Sequence, residues 1–324
     1  MTPASPRILI AGAGWRVSRF VVPALLAVGV SREDITLLRR QAAEASGYLS
    51  GIQTTNDIDR IEGQFHLTIN CVPAPLLLPI QLRLLHLQPS SIHFCDTPIL
   101  HGLLDLGNAR RAVQTNLFSL EDWPFMPNLR CIWPVCAESP NRFELRMEHF
   151  GIPTHFLSAA RTAFDKSAKT GRRFLRRKGW VLTDLKLGTQ ARCVHKGPKQ
   201  EQLAKISMYD GERLIEDFFE LADREELPAA ARSEEVIWRR VDGTLLSYYK
   251  GSQCFHSVQV PLEVSAIYTS SRSRTSIHEL DKCVALIDIF KSALEGHSKA
   301  YGFRQSIEDA LFARATERFR VAWL

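Results

Sequence analysis

Arg7-Ile-Leu-Ile-Ala-Gly12-Ala-Gly14-Trp-Arg16-Val-Ser-Arg-Phe20-Val-Val-Pro23-Ala-Leu25-Leu26 is the stretch whose reading decides the fold. Ile8 to Ile10 is an apolar run long enough for one buried strand. Gly12-Ala13-Gly14 then breaks the run, and the pattern resumes with helical spacing through Phe20, Val21, Ala24 and Leu25. Strand, glycine turn, helix is how a dinucleotide-binding β-α-β unit opens: the first glycine permits the tight turn and the second lets backbone approach a pyrophosphate, whose charge rests on free N–H groups at the helix start. On that reading Gly12, Ala13, Gly14, Trp15 and Arg16 line the phosphate turn. Val17 stands where a third glycine is usual, which predicts a helix held slightly away from its strand. The alternative is an ordinary buried strand and turn with no nucleotide.

The chain has 324 residues, enough for two domains, and its formal charge of +6 is modest. The seven cysteines contain no C-x-x-C pair, which predicts reduced thiols in a cytoplasmic protein, with no disulfide frame and no zinc site. The opening Met-Thr-Pro-Ala-Ser-Pro lacks a charged start before an apolar core, so no secretion signal is expected. The apolar runs at 20–30 and 74–82 are short and interrupted by proline, which argues against a membrane span.

Ile35-Thr-Leu-Leu38 reads as a second strand and ends in Arg39-Arg40. The end of that strand faces the adenosine ribose in this fold, where an acid suits a free 2′-hydroxyl and arginine a 2′-phosphate. Arg39 and Arg40 therefore point to NADP rather than NAD, or else form a solvated basic turn. Further strands are expected at 65–72, stopped by Pro73 and Pro75, and at 91–95, stopped by Asp96-Thr97-Pro98. Helices are expected at 76–87 and 103–113. Strands alternating with helices predict a Rossmann-like α/β domain with a doubly wound parallel sheet over residues 1–120. His66 and His93 alternate with apolar neighbours and read as packing residues.

The pattern changes after residue 120. A proline-punctuated connector, Glu121 to Pro127, leads to an expected helix at 143–150 and an expected strand at 154–164. Asp210-Gly211 and Asp242-Gly243 each sit between strand-like runs and mark hairpins. Strands at 256–260 and 263–268 and helices at 277–294 and 306–319 complete an α+β domain, 121–324, built on a large antiparallel sheet. Its alternating apolar residues Ile206, Met208, Ile237, Leu245, Val258 and Val260 would cover helices on one face.

Taken together, these segments resemble the glucose–fructose oxidoreductase/inositol dehydrogenase (Gfo/Idh/MocA) family over most of the chain. Gly12-Ala-Gly14 with Pro23-Ala-Leu25 is similar to the family's first turn and helix. Asn70-Cys-Val-Pro73 matches its turn under the nicotinamide, Asp96-Thr97-Pro98 its Glu-Lys-Pro motif, and Glu121-Asp122 with Pro127 its crossover. The run from Gly179 through Asp184 to Gly188 is similar to its G-x-L-x-D-L-G-x-H helix start. The resemblance implies cofactor contacts at Pro73, Asp96, Thr97 and Pro98, and a homodimer formed through the second domain.

The departures fall on the chemistry. Thr97 stands at the family's lysine, Gly188 at its histidine and Ala191 at its aspartate, while Asp184 is kept. Moving a hydroxyl proton requires a group that titrates near neutrality, which threonine and glycine lack. Asp184, Lys186 and Thr97 are the residues left to carry catalysis, with Asp96 and His155 as further candidates. Lys186 has a surface role as its alternative, and Asp184 a helix-capping one.

Between Lys166 and Lys178, seven of thirteen residues are cationic. Arg172, Arg173, Arg176 and Arg177 would clamp an anionic small-molecule substrate; the run is otherwise a solvated loop, and nucleic acid fits worse because aromatic residues are sparse. The expected function is an NADP-dependent oxidoreductase acting on a small polar substrate, a sugar derivative or an imine, in a biosynthetic pathway. The alternative is a dinucleotide-binding sensor or scaffold that has lost the chemistry.

Overall fold

The computed structural model describes the chain apart from residues 1–4, 41–46, 101, 115, 128–143, 149–152, 165–171, 177–178, 185–189, 195–204, 211–212, 218–221, 224–236, 263–264, 266–273, 298–299, 320 and 324. Its contacts group it into two units: Met1–Asp122 with Lys282–Ala310, and Trp123–Asp281 with Leu311–Leu324.

Six parallel strands build the first unit: β1 (Ile8–Ala11), β2 (Ile35–Leu38), β3 (Gln53–Thr55), β4 (Leu67–Asn70), β5 (Ile92–Cys95) and β6 (Leu117–Ser119). Their order across the sheet is β6-β5-β4-β1-β2-β3, and Tyr301–Gly302 adds an antiparallel edge beside β6. This is the doubly wound arrangement expected, with its switch point between β1 and β4. β1 and β4 are buried along their whole length, because helices cover both faces of a parallel sheet. The ladder continues one residue past the strand ends. Gly12 N–H bonds the Leu38 carbonyl at 2.8 Å, Cys71 N–H that of Ala11 at 2.8 Å, and Asp96 N–H that of Asn70 at 2.9 Å. Leu120 N–H reaches the Cys95 carbonyl at 2.7 Å. All the turns that could meet a ligand are thereby pinned at one level.

Leu9 and Ala11 share a face and pack with Leu38, Phe65 and Leu84, and Leu84 comes from the second helix of the unit. The first, α1 (Val22–Ala27), follows the glycine turn; the second is α2 (Ala74–Leu87), and α3 (Leu106–Ala112) follows β5. Asn70 fixes the start of α2: its buried amide donates to the Leu77 carbonyl at 2.8 Å and to Gln81 Oε1 at 3.3 Å. His93 is the packing residue expected. It lies fully buried between the Thr68 hydroxyl and the Gln88 carbonyl, and burial drives its pKa down to about 4. His66 is exposed and accepts the Arg7 N–H at 3.0 Å.

The second unit begins with β7 (Glu144–Glu148) and α4 (Pro153–Phe164). Both reverse the sequence expectation. Glu, Leu, Arg and Met favour a helix, but β7 is a central strand held on both sides, and pairing overrides propensity. The expected strand at 154–164 is helical. It has proline at its start, an alanine-rich interior and a buried face containing Phe156, Leu157, Ala160 and Arg161, so a period of 3.6 residues was read as one of two.

The strands β8 (Arg172–Arg176), β9 (Gly179–Asp184), β10 (Gln190–Val194), β11 (Lys205–Asp210) and β12 (Arg213–Asp217) follow. With β7 and the closing Val321–Trp323 they form a seven-stranded sheet, ordered β12-β11-β7-β10-β9-β8 and then Val321–Trp323. It is antiparallel except between β7 and β10. Four more strands, β13 (Ala222–Asp223), β14 (Ile237–Asp242), β15 (Leu245–Lys250) and β16 (Gln253–Gln259), make a separate sheet. The apolar positions assigned above to one sheet are therefore divided between two. Both Asp-Gly signals fall between antiparallel partners, β11 with β12 and β14 with β15. Most of the strand expected at 263–268 lies outside the described residues. The helices α5 (Arg274–Leu294) and α6 (Phe303–Phe319) each contribute to both units, and Phe290 of α5 meets Phe94 edge-on at 5.7 Å within the first.

Candidate functional site

The switch point, the place where doubly wound sheets bind ligands, lies between the carboxyl ends of β1 and β4, flanked by those of β2 on one side and β5 and β6 on the other. Gly12 takes φ +107°, a conformation that L side chains rarely adopt, and a Cβ there would stand 2.7 Å from the Cys71 carbonyl oxygen. Gly14 has open space around it: a Cβ there would meet nothing within 4 Å. Backbone that is closed on the protein side and open on the other is what a diphosphate approaching a helix start needs.

Helical backbone begins at Trp15. Val17, fully buried, opens an irregular stretch at the start of this helix. Residues Val17–Val21 make a π turn, closed by Val22 N–H on the Val17 carbonyl, before α1 proper begins. The wider turn accommodates a branched side chain where the usual pattern has glycine. Trp15 stands at the lip, 61% exposed, edge-on to Phe20 at 4.8 Å.

Arg39 and Arg40 follow β2 directly. Arg39 is half-buried, with its N–H on the Thr55 carbonyl at 2.8 Å, and Arg40 is exposed. On the other side of the switch point lie Pro73, at the cap of α2, and the Asp96-Thr97-Pro98 turn with a cis bond between Thr97 and Pro98. Thr97 is partly exposed and Pro98 exposed. Burial pushes the thiols of Cys71 and Cys95 nearby well above the usual range.

Arg16 does something the sequence did not reveal. Its Nε lies 2.7 Å from Asp96 Oδ1, its Nη1 3.0 Å from Asp122 Oδ2, and its Nη2 donates to the Leu120 carbonyl at 2.7 Å. Two guanidinium nitrogens thus donate to acceptors that follow β6, and the third stands against the Asp96 carboxylate after β5 as an ion pair without hydrogen-bond geometry. Burial opposes the charge, but Asp96 and Asp122 outweigh it and hold Arg16 above its ordinary pKa. Burial also raises Asp96, with Arg16 offsetting part of the effect. Asp122, only 1% exposed, entered the sequence reading as part of a crossover motif. Its one available signal was an acidic pair followed by Trp-Pro, where a connector would ordinarily be solvated.

In the second unit, Arg172, Arg173 and Arg176 belong to β8, so this part of the basic run is a paired strand and not a loop. Asp184 ends β9, its Cα register partner is Arg172, and the residues after it, where a helix start was expected, lie outside the described residues. Two candidate residues are thus brought opposite one another across a ladder. Lys186, Gly188 and Arg177 lie outside the described residues. His155 lies in α4, its ring 5.6 Å from that of Trp123. Among the described residues, no three His, Cys, Asp or Glu side chains gather to hold a metal, and no helix is long and apolar enough to cross a membrane.

No family model and no curated protein matches the sequence. Solved structures match the fold from end to end. A myo-inositol dehydrogenase from Corynebacterium glutamicum superposes with a TM-score of 0.64 at 11% identity, covering 99% of both chains. A putative myo-inositol dehydrogenase from Sinorhizobium meliloti gives 0.62 at 15% identity, with 97% of each chain covered. An oxidoreductase from Agrobacterium radiobacter, solved with NAD+, L-tartaric acid and magnesium, gives 0.60 at 11% identity over 98% of each. The chain therefore has the two-part fold of the dehydrogenases that its sequence resembles, and at these identities the likeness is one of fold.

Proposed function

We propose that the protein is an oxidoreductase of the Gfo/Idh/MocA type that binds NADP and acts on a small anionic substrate. The observation that carries this reading is the turn at Gly12 and Gly14. It is closed against Cys71, open at Gly14, and set at the switch point with Arg39-Arg40 beside it. Backbone from Gly12 to Trp15 would hold the diphosphate, Arg39 and Arg40 the 2′-phosphate, and Pro73, Thr97 and Pro98 the nicotinamide end. Once bound, the dinucleotide supplies or accepts a hydride. Arg172, Arg173 and Arg176 are proposed to neutralise the substrate's charge, and Asp184 and Lys186 to orient it and exchange its proton.

Thr97 shapes the choice of substrate. Its hydroxyl donates a hydrogen bond but does not titrate near neutrality, so a substrate whose reduction leaves no alkoxide to protonate, such as an iminium, suits this site. The same residue favours a second reading, a dinucleotide-bound sensor without turnover. A homodimer in the cytoplasm completes the proposal; light scattering tests the first part.

The deciding experiment titrates the protein with NADPH and NADH, following energy transfer from tryptophan and thermal shift. Saturable binding, tighter for NADPH, supports the reading; absence of both signals sinks it. Oxidation of NADPH with anionic sugars or imines then separates the enzyme from the sensor.

A further inference from the structure

The six parallel strands form two mononucleotide halves, β1-β2-β3 and β4-β5-β6, on either side of the switch point. The glycine turn and Arg39-Arg40 belong to the first half, which faces the adenosine end. Pro73, the Asp96-Thr97-Pro98 turn and Leu120–Asp122 belong to the second. Arg16 starts in the first half and is bound entirely by the second: Asp96 follows β5, and Leu120 and Asp122 follow β6. A well-packed apolar side chain would fasten a helix to a sheet equally well. A planar guanidinium spreads its charge over three nitrogens in a fixed fork, so it can bond two acceptors after β6 and still place Nε against the Asp96 carboxylate.

Resting on the function proposed above, we infer that Arg16 is a positioning residue that clasps the second half to the phosphate turn and so presets the turn that meets the nicotinamide. It acts through Asp96. That residue adjoins Thr97, whose N–H bonds its carboxylate, so a shift of Asp96 is passed to the turn proposed above to meet the nicotinamide end. Arg16 has its charge paired with Asp96 and Asp122, which leaves the phosphates to the backbone N–H groups of the turn.

The test compares binding of NADPH with binding of 2′,5′-ADP, a fragment that occupies only the adenosine half, in the wild type and in the R16K and D122N variants. Lysine keeps the charge at position 16 but, with all its donors on one atom, cannot span Asp122, the Leu120 carbonyl and Asp96 as the fork does. D122N removes one acceptor's charge at nearly constant shape. Each variant should bind NADPH at least fivefold more weakly than the wild type while binding 2′,5′-ADP within twofold of it. Thermal midpoints establish that the variants are folded, and D122N decides the matter if R16K is not. Equal weakening of both ligands, or no weakening of either, overturns the inference and leaves the function standing. A wild type that binds neither ligand overturns both.

Discussion

A Cβ added to Gly12 would stand 2.7 Å from the carbonyl oxygen of Cys71, inside the wall of the proposed phosphate turn. Neither side can yield, because Cys71 N–H is itself bonded to the Ala11 carbonyl. Gly14, two residues on, has no such neighbour and no positive φ. Gly12→Ala should therefore cost at least about 2 kcal/mol of stability through the clash and the φ +107° backbone. Gly14→Ala should leave the urea midpoint nearly unchanged and weaken NADPH at least tenfold, because its methyl group would enter the open space proposed for the diphosphate. Loss of stability at Gly14 without loss of binding would mean that the open space serves no ligand.

His93 makes stability depend on pH. It is buried and neutral, with Nε2–H donating to the Gln88 carbonyl and Nδ1 accepting from Thr68. Its folded pKa of about 4 lies below the unfolded value of 6.5. As pH falls through that window, the unfolded chain takes up a proton that the folded chain refuses. Stability should drop by about 3 kcal/mol between pH 6.5 and pH 4 and level off below. Urea unfolding at steps of half a pH unit measures the slope; His93→Asn, although less stable at pH 7.5, should show a slope shallower by one proton.

The sequence was most informative where one pattern has one physical cause. Strands buried on both faces are rich in apolar residues, so β1, β2, β4 and β5 were legible, as was the glycine turn. Asp-Gly pairs located both hairpins. β7 and α4 were misread because their local signals conflict with what the sheet and the core impose. Arg16 was legible as a turn residue but not as a clasp, because its acceptors lie 80 to 106 residues away in sequence. Long-range ion pairs leave no periodic trace.

The second unit contains a comparable buried bond. Tyr248 on β15 is fully buried, and its hydroxyl donates to Asp281 Oδ1 on α5 at 2.9 Å. Tyr248→Phe removes this donor and leaves the carboxylate with one hydrogen bond fewer in a dry setting. The expected loss is about 1–3 kcal/mol in urea unfolding. Because both residues lie in the second unit, dinucleotide affinity should not change. A variant of wild-type stability would show that water or another group compensates the carboxylate.

Cofactor choice should rest on Arg39 and Arg40. They follow β2, one and two residues beyond Leu38, whose carbonyl anchors Gly12, and so beside the turn that would hold the diphosphate. A 2′-phosphate carries close to two negative charges, and a charge-assisted hydrogen bond to arginine contributes about 1.5–3 kcal/mol. The double variant Arg39→Ala/Arg40→Ala should therefore bind NADPH some ten- to a hundredfold more weakly, with NADH within about threefold of the wild type. The affinity for NADPH should also fall more steeply with salt in the wild type than in the variant, since the contact removed is ionic. Isothermal titration at two salt concentrations measures both effects. If NADH weakens as much as NADPH, the arginines hold the diphosphate or the turn itself. If neither changes, the 2′-hydroxyl is met by other groups, and the preference for NADP has to be given up while the dinucleotide site stands.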